Sequence, residues 1–518
     1  MEPTEGQITA RRTRGGGHAA RIARPRARAM RAAFIERAFE PFRMASEESL
    51  ALIERNADTI LAEIGMEFRG DEEVLAILRD AGADVKGERV RFERGMCRRI
   101  IQASAPRSFI QHARDPAKSV RIGGNACVLA PAGGAPFVHD LDRGRRYATT
   151  RDFHDLMKLS HRLDGLHHAD GLLVELMDLP IPERHLEYVP AQFRLTDRPI
   201  IGATTSGTRA EDTMAMARIV FGDDFVARNS VVYGGVNTNS PLVLDATMMD
   251  SLKVYARAGQ AVVVSPYILA GAMGPVGIAG ALAQQLAEAM AGLALVQIIR
   301  PGTPCTMGVF IGTIAMATGA PAFGTPESLL GITVASELAR RLGVPVNCAG
   351  GAVTASKIPD AQAAYESALT LHATFLAGAN MVWHAAGWLD GGLATGFEKM
   401  VLDNDLCTAL ATFARGLDVS EEGQALDALR EIEPGGHFLG TAHTRHTFET
   451  ALWRPALWDT KTFEQWSEEG ARDAAVRANA RWKELLRTYE PPPLDPAIDE
   501  ALVEFIAKRC AAIRAGAA

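Results

Sequence analysis

Short apolar runs recur along the middle of the chain, those between Val296 and Trp388 broken at Gly, Cys, His or Trp, and most are followed by a longer segment of helical periodicity. The runs are GLLVEL (171–176), PIIGATT (199–205), VVYGGVN (231–237), AVVVSPY (261–267), LVQIIR (295–300), CTMGVF (305–310), PVNCAGG (345–351) and MVWHAAG (381–387). Runs of this length, rich in Val and Ile, read as buried strands. Their alternation with helices predicts parallel β/α crossovers at a spacing of roughly 30 to 40 residues. The fifth and sixth runs lie too close together to hold a helix between them, so only one of the two is a barrel strand. The expected fold class is α/β: a TIM-type (β/α)8 barrel with an N-terminal helical and hairpin segment and a C-terminal helical extension. A doubly wound open sheet is the alternative, and it is disfavoured because no G-x-G-x-x-G follows the first strand.

The flanks follow other patterns. In SEESLALIERNADTILAEIGMEF, residues Leu50, Ile53, Ala57, Ile60 and Ile64 share one helical face, with Ser46 or Ser49 as N-cap. GERVRF is a short strand candidate. Between 119 and 150, β-formers alternate with Gly and Pro and DRGR marks a turn, which predicts hairpins capping the barrel or overhanging its mouth. After 405 strand signals stop and amphipathic helices follow. The expected organisation is a disordered basic tail (1–31), an N-terminal helical segment (32–118), the barrel with its hairpins (119–404) and a helical extension (405–518).

Composition narrows the function classes. No run approaches the ~20 uninterrupted apolar residues of a bilayer span, and no secretory signal core is present. Six cysteines in 518 residues, none in a C-x-x-C pair, suit a reducing cytoplasm and show neither a zinc knuckle nor a thioredoxin motif. Residues 1–31 carry eight Arg against two Glu, a formal +6 in a chain of net charge −7. This tail reads as a solvated extension. The alternatives are a docking arm for an acidic partner or nucleic acid, or a transit peptide.

In a β/α barrel the chemistry sits where strands end. Here the strand ends present Asn237, Thr238, Asn239, Pro266, Tyr267, Phe310, Thr313, Cys348, Gly350, Trp383, His384 and Trp388. Phosphate loops and the G-x-S-x-G elbow are absent, and Lys357 reads as a solvated loop lysine rather than a Schiff base. His437, His443 and His446 form the densest histidine cluster, but no framework surrounds them and Arg445 would repel a cation, so no metal is expected. His167 and His168 read as satisfied helix-end histidines. Aromatic faces with a few neutral polar groups attract cations without a full counter-charge, and quaternary ammonium is the ligand class that suits them best.

Four segments, GAPAFGTPE, GGAVTASKIPDAQAAYES, HAAGWLDGGLATGFEK and GGHFLGTAHTRH, make the chain from about 120 onward resemble the trimethylamine methyltransferase family, and among its members the quaternary-amine enzymes of the glycine betaine methyltransferase kind. The resemblance implies a TIM-type barrel. It also implies transfer of a methyl group from an amine to the cobalt of a corrinoid (cobalamin) held by a separate partner protein. Archaeal trimethylamine enzymes carry pyrrolysine, by resemblance in or near the loop 348–357, where this chain has only ordinary residues. A neutral tertiary amine would have to be made cationic before losing methyl, whereas a quaternary ammonium leaves as a neutral amine and needs no general base. The D-x-H-x-x-G corrinoid motif is missing, since DFHDLM at 152–157 ends in Met, so the chain itself is expected to bind no cofactor. The expected substrate-binding set is Asn237, Asn239, Tyr267, Phe310, Cys348, Gly350, His384 and Trp388. Tyr267, Phe310, His384 and Trp388 would line a cation pocket, and Asn237 and Asn239 would bind a polar tail such as a carboxylate. No catalytic residue is assigned. The expected partners are a methylated amine, the corrinoid protein and further copies of the chain, with no nucleic acid or membrane. A metal-dependent barrel enzyme and a non-catalytic methylated-amine binding protein remain as alternatives.

Overall fold

The computed structural model describes residues 32–516, so the basic segment 1–31 lies outside the described residues. Seven strands make the parallel body of one curled sheet: β1 (Ala126–Leu129), β2 (Ile200–Ile201), β3 (Val232–Asn237), β4 (Ala261–Ser265), β5 (Cys305–Ile314), β6 (Val346–Cys348) and β7 (Met381–Val382), with Ile35–Glu36 added antiparallel on β1. Neighbours run in chain order from β2 to β7, and β7 pairs with β1 through Met381 opposite Val128. Between β1 and β2 lies the extended segment 167–169. The His167 N–H donates to the Leu129 carbonyl at 2.8 Å and the Ala169 N–H to the Pro199 carbonyl at 3.0 Å. The molecule is thus a mixed α/β fold whose sheet curls round an interior packed by Val128, Tyr233, Val263 and Met381.

Three strand assignments change. Residues 171–176 are not a strand: the extended piece lies just N-terminal, at 167–169, and only Val174 makes an isolated bridge, to Ala135. Residues 295–299 are the last turns of the helix Ile278–Ile299, whose interior is buried almost throughout. A helix buried on all sides shows no polar stripe, so its apolar run imitates a strand. The first strand of the parallel sheet is Ala126–Leu129, within the stretch expected to hold only hairpins. The hairpin around DRGR is present nearby and pairs Phe137–Asp140 with Gly144–Tyr147. Among the described residues, Ile278–Ile299 is the one helix long and apolar enough to cross a membrane, and 89% of its most apolar window is packed inside the protein.

In the N-terminal segment, the Ser46 hydroxyl accepts the Ser49 N–H at 3.2 Å and caps the helix Glu47–Thr59. At the other end, the helix Phe397–Phe413 runs across position 404, and the helices Ala474–Arg487 and Pro496–Arg514 pack on the helices outside the sheet. Trp482 stacks on Phe397 at 4.9 Å and its Nε1–H donates to Glu398 Oε1 at 2.8 Å. Eleven of the thirty exposed large apolar side chains among the described residues fall between Phe413 and Phe463, about a tenth of the chain.

Candidate functional site

The parallel register places the residues at the strand ends. The strand Tyr267–Ala270 continues from β4 after Pro266 and pairs with the far half of β5, which puts Tyr267 opposite Phe310. Their ring centroids are 4.7 Å apart. Beyond β5 the chain turns back, Pro321–Ala322 pairs antiparallel with Thr313 and Ile314, and Phe323 is delivered onto Phe310 in a stacked pair at 5.9 Å. From beyond β7 come His384 and Trp388, 4.4 Å from each other and 6.3 and 6.2 Å from Phe310. Five rings carried by three neighbouring stretches of chain therefore meet in one cluster, with Ala132, Ala349 and Val353 completing the wall.

The cluster is largely buried, and among the described residues no Lys or Arg side chain sits over its rings. Phe310 is 8% and Trp388 7% exposed. Lys and Arg side chains sit instead over Phe34, Phe137, Phe375, Phe448 and Trp482. Burial lowers the His384 pKa to about 3, so its imidazole is neutral at physiological pH, and burial raises the Tyr267 phenol to about 12. The indole N–H groups of Trp383 and Trp388 are both buried with no hydrogen-bond acceptor. Such donors are costly to leave unpaired, and a ligand acceptor would relieve them.

The residues behind the rings fix their positions. His384 holds left-handed backbone, φ +60°, at the end of β7, and its Nδ1 accepts the Gly133 N–H at 3.4 Å. Gly351 lies against that turn so closely that a Cβ there would meet the His384 carbonyl carbon at 2.5 Å. Gly387, next to Trp388, donates its N–H at 2.9 Å to Asp403, which is paired with Lys399 at 2.5 Å in a buried i,i+4 ion pair.

Of the residues expected from sequence, Tyr267, Phe310, His384 and Trp388 come together. Cys348 faces the other way. Its Sγ lies 3.6 Å from the Thr374 hydroxyl on the helix Ala361–Leu376 and accepts the Gly350 N–H at 3.3 Å, and burial pushes its thiol up to about 11. Gly350 packs on Ile332 and Thr374 in the same helical layer. Asn237 and Asn239 are exposed and outside the ring cluster, although they flank the mouth. Between and beyond them, Thr238 and Ser240 each donate at 2.6 Å to the buried Glu288 carboxylate, and the Leu242 N–H donates at 2.9 Å. Lys357 is exposed, as read from the sequence.

Two residues at the site had no place in the sequence reading. Phe323 stood in the quoted segment GAPAFGTPE without being recognised as a wall residue. Asp170 follows the extended segment 167–169, adopts φ +72°, and is 7% exposed. The preceding histidines are satisfied, but in extended rather than helical backbone: His167 Nδ1 accepts the Leu129 N–H, and His168 pairs with Gln111 through Nε2 while its Nδ1 accepts the Asp170 N–H. His437, His443 and His446 make no ligand set, and among the described residues no three His, Cys, Asp or Glu converge as a metal site. Two surface clefts, of about 250 and 330 Å³, lie on the outer helices near Arg218 and Arg257, away from the strand ends.

The family model for trimethylamine methyltransferase (MTTB) matches residues 11–514. This chain belongs to the trimethylamine methyltransferase family. Among family relatives, it is 38% identical over 469 residues to a glycine betaine methyltransferase of Desulfitobacterium hafniense strain Y51, covering 90% of this chain and 97% of the relative. It is 27% identical to the trimethylamine methyltransferase MttB of Desulfitobacterium hafniense strain DCB-2, covering 89% and 92%. A crystal structure of the hydroxylamine MtmB complex aligns over 88% of this chain and 90% of that one with a TM-score of 0.50 at 11% identity, a likeness of fold alone.

Proposed function

We propose that this family member transfers a methyl group from a quaternary methylated amine of the betaine type to the Co(I) corrinoid of a separate protein. The observation that carries the reading is the largely buried cluster of Tyr267, Phe310, Phe323, His384 and Trp388. Ring faces attract an ammonium ion by about 2 kcal/mol or more once both are desolvated. The orphaned indole N–H groups of Trp383 and Trp388 favour a ligand that also carries an acceptor, such as a betaine carboxylate. The 38% identity to a glycine betaine methyltransferase supports the same substrate class.

The reaction then asks little of the protein. The methyl carbon is attacked by the cobalt nucleophile, the C–N electron pair stays on nitrogen, and the amine leaves neutral. The chain binds the ammonium group, holds one methyl towards the mouth and excludes water. No proton is moved, in keeping with a His384 imidazole that is neutral and a site without a histidine–carboxylate base pair. The corrinoid is brought by the partner, which would meet the strand-end face, where Val276, Met316, Ile358 and Leu393 expose apolar surface. We read the sheet, with segment 167–169 between β1 and β2, as a closed (β/α)8 barrel whose mouth receives that partner. We also assign the apolar surface between Phe413 and Phe463 to contact with a second copy of the chain. A cytoplasmic location is supported by six free thiols.

The test is a panel of glycine betaine, proline betaine, carnitine and trimethylamine, each incubated with the protein and Co(I) cobalamin and followed by methyl-cobalt absorbance. Methylation with a quaternary donor is expected. Binding of a donor without methyl transfer would favour a non-catalytic binding protein, and no response to any member would overturn the reading.

A further inference from the structure

Asp170 stands out among the buried ionisable groups because the fold gives it nothing to do. The other buried acids near the site are occupied: Glu288 accepts three hydrogen bonds from the 238–242 loop, and Asp403 holds Lys399 and the Gly387 N–H. Among the described residues, the Asp170 carboxylate accepts no hydrogen bond and pairs with no cation. Burial alone acts on it and pushes its pKa well above the ordinary carboxylate range. Its backbone is left-handed, a conformation that costs a non-glycine residue about 1 kcal/mol or more and persists only where the surroundings impose it.

Its position links it to the rings. Gly133, at the end of β1, separates the two: a Cβ there would stand 2.5 Å from Asp170 Oδ2, while the Gly133 N–H is bonded to His384 Nδ1. His384 is in turn packed on Trp388. One glycine thus lies between the carboxylate and the aromatic wall, and nothing larger fits there. Asp170 and His384, which follow the two segments flanking β1, are also two of only six non-glycine residues with positive φ among the described residues.

We propose that Asp170 is the counter-charge for the bound ammonium group and strengthens the site's preference for a cation over its neutral carbon isostere. The inference rests on the methylated-amine reading above and deepens it. Aromatic faces already favour trimethylammonium over a tert-butyl group. A buried carboxylate widens the gap, because it is stabilised by the cation and left unpaired by the isostere. The carboxylate touches no reacting bond. It lies on the far side of a cation whose positive charge disappears on methyl loss, so the neutral product amine is held less tightly than the substrate.

The experiment compares wild type and D170N by calorimetry with two probes, glycine betaine and 3,3-dimethylbutanoate, in which carbon replaces the charged nitrogen. Wild type should favour glycine betaine at least tenfold. D170N should lose betaine affinity by about 30-fold and leave the isostere within twofold. The D170N protein without ligand should also melt higher than wild type, since an unpartnered buried carboxyl has been removed; a merely structural role predicts a lower melting temperature. Equal weakening of both probes, or no change in either, overturns the role of Asp170 and leaves the substrate reading standing. Wild type that binds neither probe nor any amine of the panel overturns both.

Discussion

Phe310 is the ring on which the cluster converges, and its replacement by leucine separates charge recognition from space filling. Phe310 sits 4.7 Å from Tyr267, 5.9 Å from Phe323, 6.2 Å from Trp388 and 6.3 Å from His384. Leucine keeps most of the apolar volume and removes the negative ring face. Losing the two nearest ring pairs costs about 1–3 kcal/mol of stability, at roughly 0.5–1.5 kcal/mol each. That is small enough for F310L to remain folded, where F310A would open a cavity costing about 3–5 kcal/mol. Losing one desolvated cation–π partner costs about 2 kcal/mol of binding, or roughly 30-fold in Kd. Isothermal titration with glycine betaine should show that loss, and 3,3-dimethylbutanoate should bind within about threefold of wild type. If both ligands weaken equally, Phe310 only fills space; if neither weakens, the ring cluster is not the ammonium site.

The remaining predictions test the surroundings. W388F keeps a ring but removes an orphaned donor, and should weaken glycine betaine by about 1.5–3 kcal/mol while leaving tetramethylammonium, which has no acceptor, nearly unaffected. C348S should bind betaine within twofold of wild type, because the thiol faces the helix layer, and the wild-type thiol, pushed up to about 11, should resist iodoacetamide at pH 8. G351A should cost about 2–3 kcal/mol and abolish amine binding in the same titration, because its Cβ collides with the Trp383 carbonyl oxygen and the His384 backbone. The pH dependence of stability should carry the mark of Asp170. Burial raises its folded-state pKa, so the unfolded chain ionises first, and stability that is full below about pH 4 declines as pH rises until the folded carboxyl ionises too. His168 and His384 beside it stay neutral throughout that range, both being held at about 3. Melting curves of wild type and D170N should therefore diverge above pH 4 by about 1.4 kcal/mol per pH unit, and parallel curves would refute the raised value.

What the chain disclosed about itself follows burial and chemistry. The runs at 231–237, 261–267, 305–310, 345–351 and 381–387 were legible because short runs of β-formers give way to helical periodicity, and they include three rings of the cluster, Tyr267, Phe310 and His384. The strand Ala126–Leu129 was hidden because Gly123, Gly124, Gly133 and Gly134 flank it, and such flanks look like hairpin turns. Asp170 was hidden by composition: HHAD is polar, whereas a strand position is sought among apolar runs. Its role depends on Gly133 across the strand boundary, a contact between residues 37 positions apart in the chain. Phe323 is aimed by an antiparallel turn-back beyond β5 that no periodicity announces. Cys348 illustrates the opposite error. Alternation along β6 sends Asn347 inward to Tyr233 and Cys348 outward to Thr374, and a one-residue difference decides which is seen by a ligand.

The helix Ile278–Ile299 has a consequence during biosynthesis. It leaves the ribosome before β5, β6 and β7 exist to cover it, and its hydropathy alone would suit a membrane-insertion channel. Gln284, Gln285 and Glu288 interrupt it near the middle of its first half. In the native protein Glu288 is quenched by the hydroxyls of the 238–242 loop, which is already synthesised by then. The same acid that latches the loop thus also makes the helix costly to place in lipid before the neighbouring strands arrive.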